Sequence, residues 1–380
     1  MARRPRAESR TPDGMFAMSW SPQQDDALRA VAEWLRQGDR PVFRLFGYAG
    51  TGKTTLARHI AEGVDGEVVF GAYTGKAALV LRSKGCAEAS TIHSMIYRSR
   101  EGDENGPRFV LNRSSAAAKA DLIVIDECSM VDEELGRDLL SFGRPVLVLG
   151  DPAQLPPVKG GGFFTEAEPD VMLTEVHRQA HDNPIVHLSM QVREGGRLEP
   201  GIFGESRIIR RREIDVAAVV SANQVLVGLN RTRRLYNTRL RELNGYRDPM
   251  PAEGEKLVCL RNDKTKGLLN GGIWKVHALR GIRNDFVRMD VLPEDESRRR
   301  PVDVAVLRQF FDGTDEDIPF VLRRESDEFT YGYALTVNKA QGSQWDDVVL
   351  FDEAYAFREH RTRWLYTGLT RAARRISVVM

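Results

Sequence analysis

The residues with the clearest chemical meaning are Gly47-Tyr-Ala-Gly-Thr-Gly-Lys53-Thr54-Thr55, which carry the spacing G-x-x-x-x-G-K-[ST]. A loop of this kind turns its backbone N–H groups onto phosphate oxygens, and the helix that follows adds partial positive charge at its start. Gly47, Gly50 and Gly52 give the backbone its tight path, with Thr51 and Thr55 completing the cradle. Lys53 reaches the β- and γ-phosphates of a nucleoside triphosphate, and the Thr54 hydroxyl ligates Mg²⁺.

Hydrolysis needs more than a cradle. The run Leu122-Ile123-Val124-Ile125 ends in Asp126-Glu127. Ligands of parallel α/β sheets sit at the carboxyl ends of strands. Asp126 is therefore expected to hold Mg²⁺, and Glu127 to orient or deprotonate the attacking water. Gln154, in Gly150-Asp-Pro-Ala-Gln-Leu-Pro-Pro157, is both donor and acceptor and can report the presence of the γ-phosphate. Two arginines are candidates for a finger that neutralises developing charge, Arg178 and Arg371. Such a finger contributes about 10³–10⁵ in rate.

These groups need scaffolds. Val42–Phe46 reads as a buried strand, and Thr55–Ala61 as the opening of a helix. Ser21-Pro22 caps an earlier helix that presents Leu28, Val31, Ala32 and Leu35 on one face and ends at Gly38. Further apolar strands alternate with amphipathic helices, which implies a parallel sheet covered on both faces. The pattern restarts at Val225–Leu229 and returns at Val348–Phe351 and Ile376–Val379, giving a second α/β domain. Between them, residues 253–330 read as a small antiparallel β module. Within the first domain, residues 95–118 read as a protruding hairpin around Asp103–Pro107. Phe109 stands on its rising strand.

Composition sets bounds. The 380 residues allow two or three domains, and net charge is only +1. The clusters Arg210–Arg212, Arg231 with Arg233 and Arg234, and Arg298–Arg300 read as solvated faces. Three scattered cysteines point to a reducing compartment. No apolar stretch is long enough to span a bilayer. Residues 1–18 read as a disordered leader.

As an ordered set, these motifs resemble the superfamily 1 helicases of the RecD-like branch, and within it the compact phage Dda-type enzymes. Gln24 matches the glutamine that reads adenine, so the resemblance implies ATP with Mg²⁺ as the cofactors. Tyr73–Ala78, Thr91–Ser94, Asp126–Met130, Gly150–Pro157, Val176–Gln179, Tyr333–Ser343 and Leu365–Ala372 resemble the successive motifs Ia to VI. Gly342 falls in the nucleotide-contacting part of motif V. The resemblance implies two RecA-like domains, the first over 19–188 with the hairpin as a pin on which Phe109 is the residue expected to split a base pair, the second over 189–252 and 331–380. It implies an SH3-like module at 253–330. It also implies ATP-dependent 5′-to-3′ movement on single-stranded DNA, with duplex unwinding at forks. The family's single-strand contacts fall on Thr74, Lys76, His93, Thr336, Asn338 and Lys339, types suited to gripping a backbone without reading sequence.

Three positions depart from the family pattern: Tyr73 stands for proline, Asn338 for histidine and Gln344 for glutamate. The expected setting is a bacterial cytoplasm or a phage-infected cell, with a monomeric chain, replication or repair proteins as possible partners, and no membrane. Two alternatives share the same chemistry: an RNA-acting translocase, and an ATPase that strips proteins from DNA without unwinding it.

Overall fold

A computed structural model describes residues 20–86, 88–103, 106–157, 160–175, 183–294 and 300–380. The strands of the first half are β1 (Val42–Gly47), β2 (Val68–Ala72), β3 (Ser90–Thr91), β4 (Tyr97–Asp103), β5 (Gly106–Leu111), β6 (Leu122–Asp126), β7 (Val146–Gly150) and β8 (Val171–Leu173). Six of them form a parallel sheet in the order β3-β2-β6-β7-β1-β8. Alternate residues of each strand serve opposite faces, as a period of two requires. Phe43, Leu45, Val124, Leu147 and Leu149 pack under the helices Pro22–Gln37, Lys53–Glu62 and Gly75–Ser83. Val42, Phe46, Ile123, Ile125 and Val148 meet Ile92, Met95, Leu135 and Leu139 on the other side. Both faces are dry, which is why these strands are continuously apolar in sequence.

The first helix forms as its caps dictate. The Ser21 hydroxyl accepts from Gln24 N while Ser21 N donates to Gln24 Oε1, a reciprocal capping box. Gly38 ends the helix in a left-handed conformation with φ +62°.

β4 and β5 pair as a separate antiparallel hairpin. Met95 and Ile96, expected at its base, lie instead in the short helix Ile92–Ile96. The Thr91 hydroxyl caps that helix by accepting from Ser94 N, and burial of Ile92, Met95 and Ile96 against the sheet holds it.

The later strands are β9 (Gly201–Phe203), β10 (Ser206–Ile209), β11 (Gln224–Val227), β12 (Lys256–Cys259), β13 (Ile273–Arg283), β14 (Phe286–Pro293), β15 (Val302–Leu307), β16 (Phe329–Tyr331), β17 (Ala334–Thr336), β18 (Trp345–Phe351) and β19 (Ala372–Val379). A second sheet runs β17-β11-β18-β19-β10-β9, parallel except for β9. The remaining five, β15-β14-β13-β12-β16, form an antiparallel sheet inserted between the helix Asn230–Leu243 and β17. Its own core gathers Trp274, Met289, Val304, Phe311 and Phe329. The buried pair Arg241–Glu255, 2.7 Å apart, ties this module to that helix. The helix Pro184–Arg193 spans the expected lobe boundary at residue 188 and packs Ile185, Leu188 and Val192 into the core of the second lobe.

Candidate functional site at the seam of two lobes

The phosphate loop joins β1 to the helix Lys53–Glu62. Gly50 and Gly52 hold φ of +82° and +80°, a region that side chains with a Cβ resist. Lys53 Nζ donates back to the loop, to Gly47 O at 2.6 Å and Tyr48 O at 3.0 Å. Its ammonium is thus held at the loop by two backbone carbonyls. Thr54 Oγ1 donates to Asp126 Oδ2 at 2.9 Å. The two expected Mg²⁺ ligands are therefore in direct contact, and both offer the oxygen donors a hard cation prefers.

Glu127 follows β6 with φ +54°, a strained left-handed conformation for a non-glycine residue. Burial raises its pKa. Asp126 and Asp151 push in the same direction, while Arg371 and Lys53 oppose them. So a carboxylate of the first lobe feels the lysine of its own lobe and an arginine of the other. Gln154 is buried, and its Oε1 has no hydrogen-bond partner among the described residues. Leaving such an acceptor unsatisfied costs roughly 1–3 kcal/mol. A water at this position would remove that cost.

Arg371 is 5% exposed. Its guanidinium donates to Thr367 O, Ser343 O and Thr370 Oγ1, all in the second lobe. It therefore acts on Glu127 through space, with no hydrogen bond to the first lobe among the described residues. Arg178, the other candidate finger, lies outside the described residues.

The seam itself is stitched by groups of other residues. Tyr366, on the helix Arg361–Leu369, donates from Oη to Asp151 Oδ2 at 2.5 Å and accepts from Ala49 N of the phosphate loop at 3.1 Å. Burial, then Asp151, pushes its phenol well above the ordinary range, so it stays protonated. Leu155 N donates to Thr367 Oγ1, and Gln341 Nε2 donates to Leu155 O. The Arg193 guanidinium lies 3.5 Å from the centroid of the Tyr48 ring. Gly342 has φ +74°, and a Cβ there would come within 2.9 Å of Thr74 Oγ1, so the lobes also touch at that point.

Gln24 is buried and occupied: Oε1 accepts from Ser21 N, and Nε2 donates to Thr51 O. Thr74 caps the helix Gly75–Ser83 by accepting from Ala77 N, and Lys76 lies in the first turn of that helix. The inserted module approaches the same place, since a Cβ on Gly75 would meet Leu269 Cβ at 2.9 Å. His93 and Phe109 are brought together edge to face, with ring centroids 5.2 Å apart. Phe109 is 55% exposed on the hairpin. Burial lowers the His93 pKa. Thr336, Asn338 and Lys339 line one cavity beneath the module.

No role was legible in the sequence for Tyr366, Asp151, Arg193, Gln341 or Thr367. The available signal was the Tyr366-Thr367 pair a few residues before Arg371, and the aspartate in Gly150-Asp151.

Comparison with known proteins bears on this arrangement. A family model described as an AAA domain matches residues 19–204, and one described as a UvrD-like helicase C-terminal domain matches residues 331–379. The ATP-dependent RecD2 DNA helicase of Deinococcus radiodurans is 30% identical over 86% of this chain and 45% of its own length. The ATP-dependent DNA helicase dda of Enterobacteria phage T4 is 34% identical over 45% of this chain and 42% of its own. The chain thus spans less than half the length of these two curated relatives. In fold, it is similar to a Bacteroides Pif1 helicase solved with ADP-AlF3 and ssDNA, at 18% identity and a TM-score of 0.57, covering 95% of this chain and 92% of that one.

Proposed function

We propose that the chain is a superfamily 1 helicase, an ATP- and Mg²⁺-dependent DNA helicase moving 5′-to-3′ on single-stranded DNA. The observation that carries this reading is the contact of the second lobe with the phosphate loop: Tyr366 Oη accepts from Ala49 N and donates to Asp151 Oδ2, beside Lys53, Thr54 and Asp126. The relatives named as ATP-dependent DNA helicases support the same reading.

In this reading Lys53 leaves Gly47 O and Tyr48 O for phosphate oxygens, while Thr54 and Asp126 hold Mg²⁺. The metal supplies neutralisation of phosphate charge. Glu127, with its raised pKa, takes a proton from the attacking water, which the free Oε1 of Gln154 helps to orient. Arg371, together with Arg178, answers the charge that develops in the transition state. Gln24 and Gly342 complete the nucleotide contacts. Thr74, Lys76 and His93 on one lobe, with Thr336, Asn338 and Lys339 on the other, grip the strand in turn. Cleft closure and reopening shift the lobes along the backbone. Phe109 on the hairpin acts as the wedge, and the five-stranded insert serves as an SH3-like module. Opening a base-pair step costs roughly 1.4 kcal/mol, so a small wedge driven by hydrolysis is enough.

A strand-displacement assay tests this on forks with either a 5′ or a 3′ tail. ATP-dependent unwinding restricted to the 5′-tailed fork supports the proposal. ATPase activity stimulated more by poly-U than by poly-dT, or streptavidin displacement without unwinding, replaces it with one of the two alternatives.

A further inference from the structure

The second lobe and the inserted module, with Leu155, Pro156, Pro157 and Gly160 of the first lobe, line a cavity of about 1070 Å³. That exceeds the range of about 300–1,000 Å³ typical of small-molecule pockets and leaves room for a stretch of polymer. Besides Asn338 and Lys339, the cations Arg233, Arg234 and Arg247 line it. Desolvation and mutual repulsion both oppose gathering cations in a half-buried space, so each needs a counter-charge. Arg234 has one: it pairs with Glu316 at 3.1 Å and Asp315 at 3.7 Å on the module. Arg233 and Lys339 have no carboxylate within ion-pair reach among the described residues. Arg233 Nε donates to Asn230 Oδ1 at 3.2 Å. Both cations are held below their ordinary pKa range, Lys339 by burial and then by Arg233, and Arg233 by burial and then by Arg234.

The element carrying Arg233 is firmly set. The buried Glu353 carboxylate accepts from Gly228 N, Leu229 N and Thr232 Oγ1 at the start of the helix Asn230–Leu243. The helix N-terminus is thereby already occupied by an anion of the chain itself. Arg247 is also without an ion pair among the described residues but is exposed, so the half-buried unmet positive charge resides in Arg233 and Lys339.

We propose that Arg233 and Lys339 form a two-point clamp on one backbone phosphate of the single strand, with Arg233 a contact outside the motif-derived set. This deepens the helicase reading and rests on it. A guanidinium fork and a point-charge ammonium from two elements would bind a phosphate while leaving the bases unread.

The test is fluorescence anisotropy of a labelled oligothymidylate with the full chain across a KCl series. Each phosphate contact on a single strand contributes roughly 0.7 to the slope of log affinity against log salt. Arg233→Ala is expected to lower the slope by up to that amount, since Lys339 alone neutralises the shared phosphate less fully, and to weaken binding about tenfold at moderate salt. Arg233→Lys keeps the slope. Arg374→Ala, at an exposed residue paired with Glu205, leaves the slope unchanged. Should Arg233→Ala melt below the wild type, Arg233→Gln, which keeps most of the side-chain volume, carries the same expectation. Wild-type binding with a slope that neither variant alters overturns the clamp alone. A wild-type chain that binds no oligothymidylate removes the helicase reading and the clamp with it.

Discussion

Tyr366→Phe deletes one hydroxyl and leaves the ring, which is 1% exposed, in its place. Packing is therefore conserved, and the change isolates the two bonds that cross the seam. Asp151, itself 1% exposed, loses a charge-assisted hydrogen bond of 2.5 Å and keeps the one from Ala153 N at 3.0 Å. A bond to a charged group contributes about 1.5–3 kcal/mol net. The bond from Ala49 N contributes less, because that amide finds water once the lobes part. Closure of the cleft is thus disfavoured by about 1.5–3 kcal/mol, or roughly 10- to 150-fold in the closed-to-open ratio. Because the phenol stays protonated, the effect is independent of pH across the working range. The assay is steady-state ATP turnover with single-stranded DNA, read beside nucleotide affinity and thermal melting. The expected result is a large fall in turnover and in nucleotide affinity with both cores intact. Wild-type values of kcat and nucleotide Kd for Tyr366→Phe would refute the idea that this hydroxyl couples the phosphate loop to the second lobe.

Lys53→Ala is expected to abolish hydrolysis while sparing much of the DNA affinity, measured by phosphate release and oligonucleotide binding on the same preparation. Phe109→Ala is expected to keep ATPase activity stimulated by single strands and to lose fork unwinding; equal loss of both activities would remove the wedge. Glu127 has a raised pKa, so wild-type turnover is expected to fall with decreasing pH above the ordinary carboxylate range of about 4.3, as its base form is lost. An acid limb confined to the ordinary range would contradict that assignment. Arg241→Ala leaves the Glu255 carboxylate, 0% exposed, without its cation. Removing one partner of a buried pair costs about 3–5 kcal/mol, so a strong drop in denaturant midpoint is expected.

What the sequence revealed was local chemistry. The phosphate loop is legible because a strand, a glycine-rich turn and a helix lie within a single short window. Asp126-Glu127 and Gln154 are legible because each closes a continuous apolar strand, β6 and β7. The second sheet is legible for the same reason, at Val225–Leu229 and Val348–Phe351. The helix Ile92–Ile96 was hidden, since its hydroxyl cap at Thr91 is short and its apolar residues also suit a strand. Tyr366, Asp151, Arg193 and Gln341 were hidden for a different reason. Their partners lie far away in sequence, 215 residues in the case of Tyr366 and Asp151, and only the packing of one lobe on the other defines them. The same holds for Arg233: one more arginine in a basic run becomes distinctive only when the fold deprives it of a carboxylate.

The central claim is that one nucleotide is served by both lobes. Arg371→Ala tests it most directly, with binding of a fluorescent ATP analogue and single-turnover hydrolysis measured on the same sample. The account predicts that binding stays within a few-fold of wild type while hydrolysis falls by about 10³ or more. Hydrolysis at the wild-type rate would contradict it.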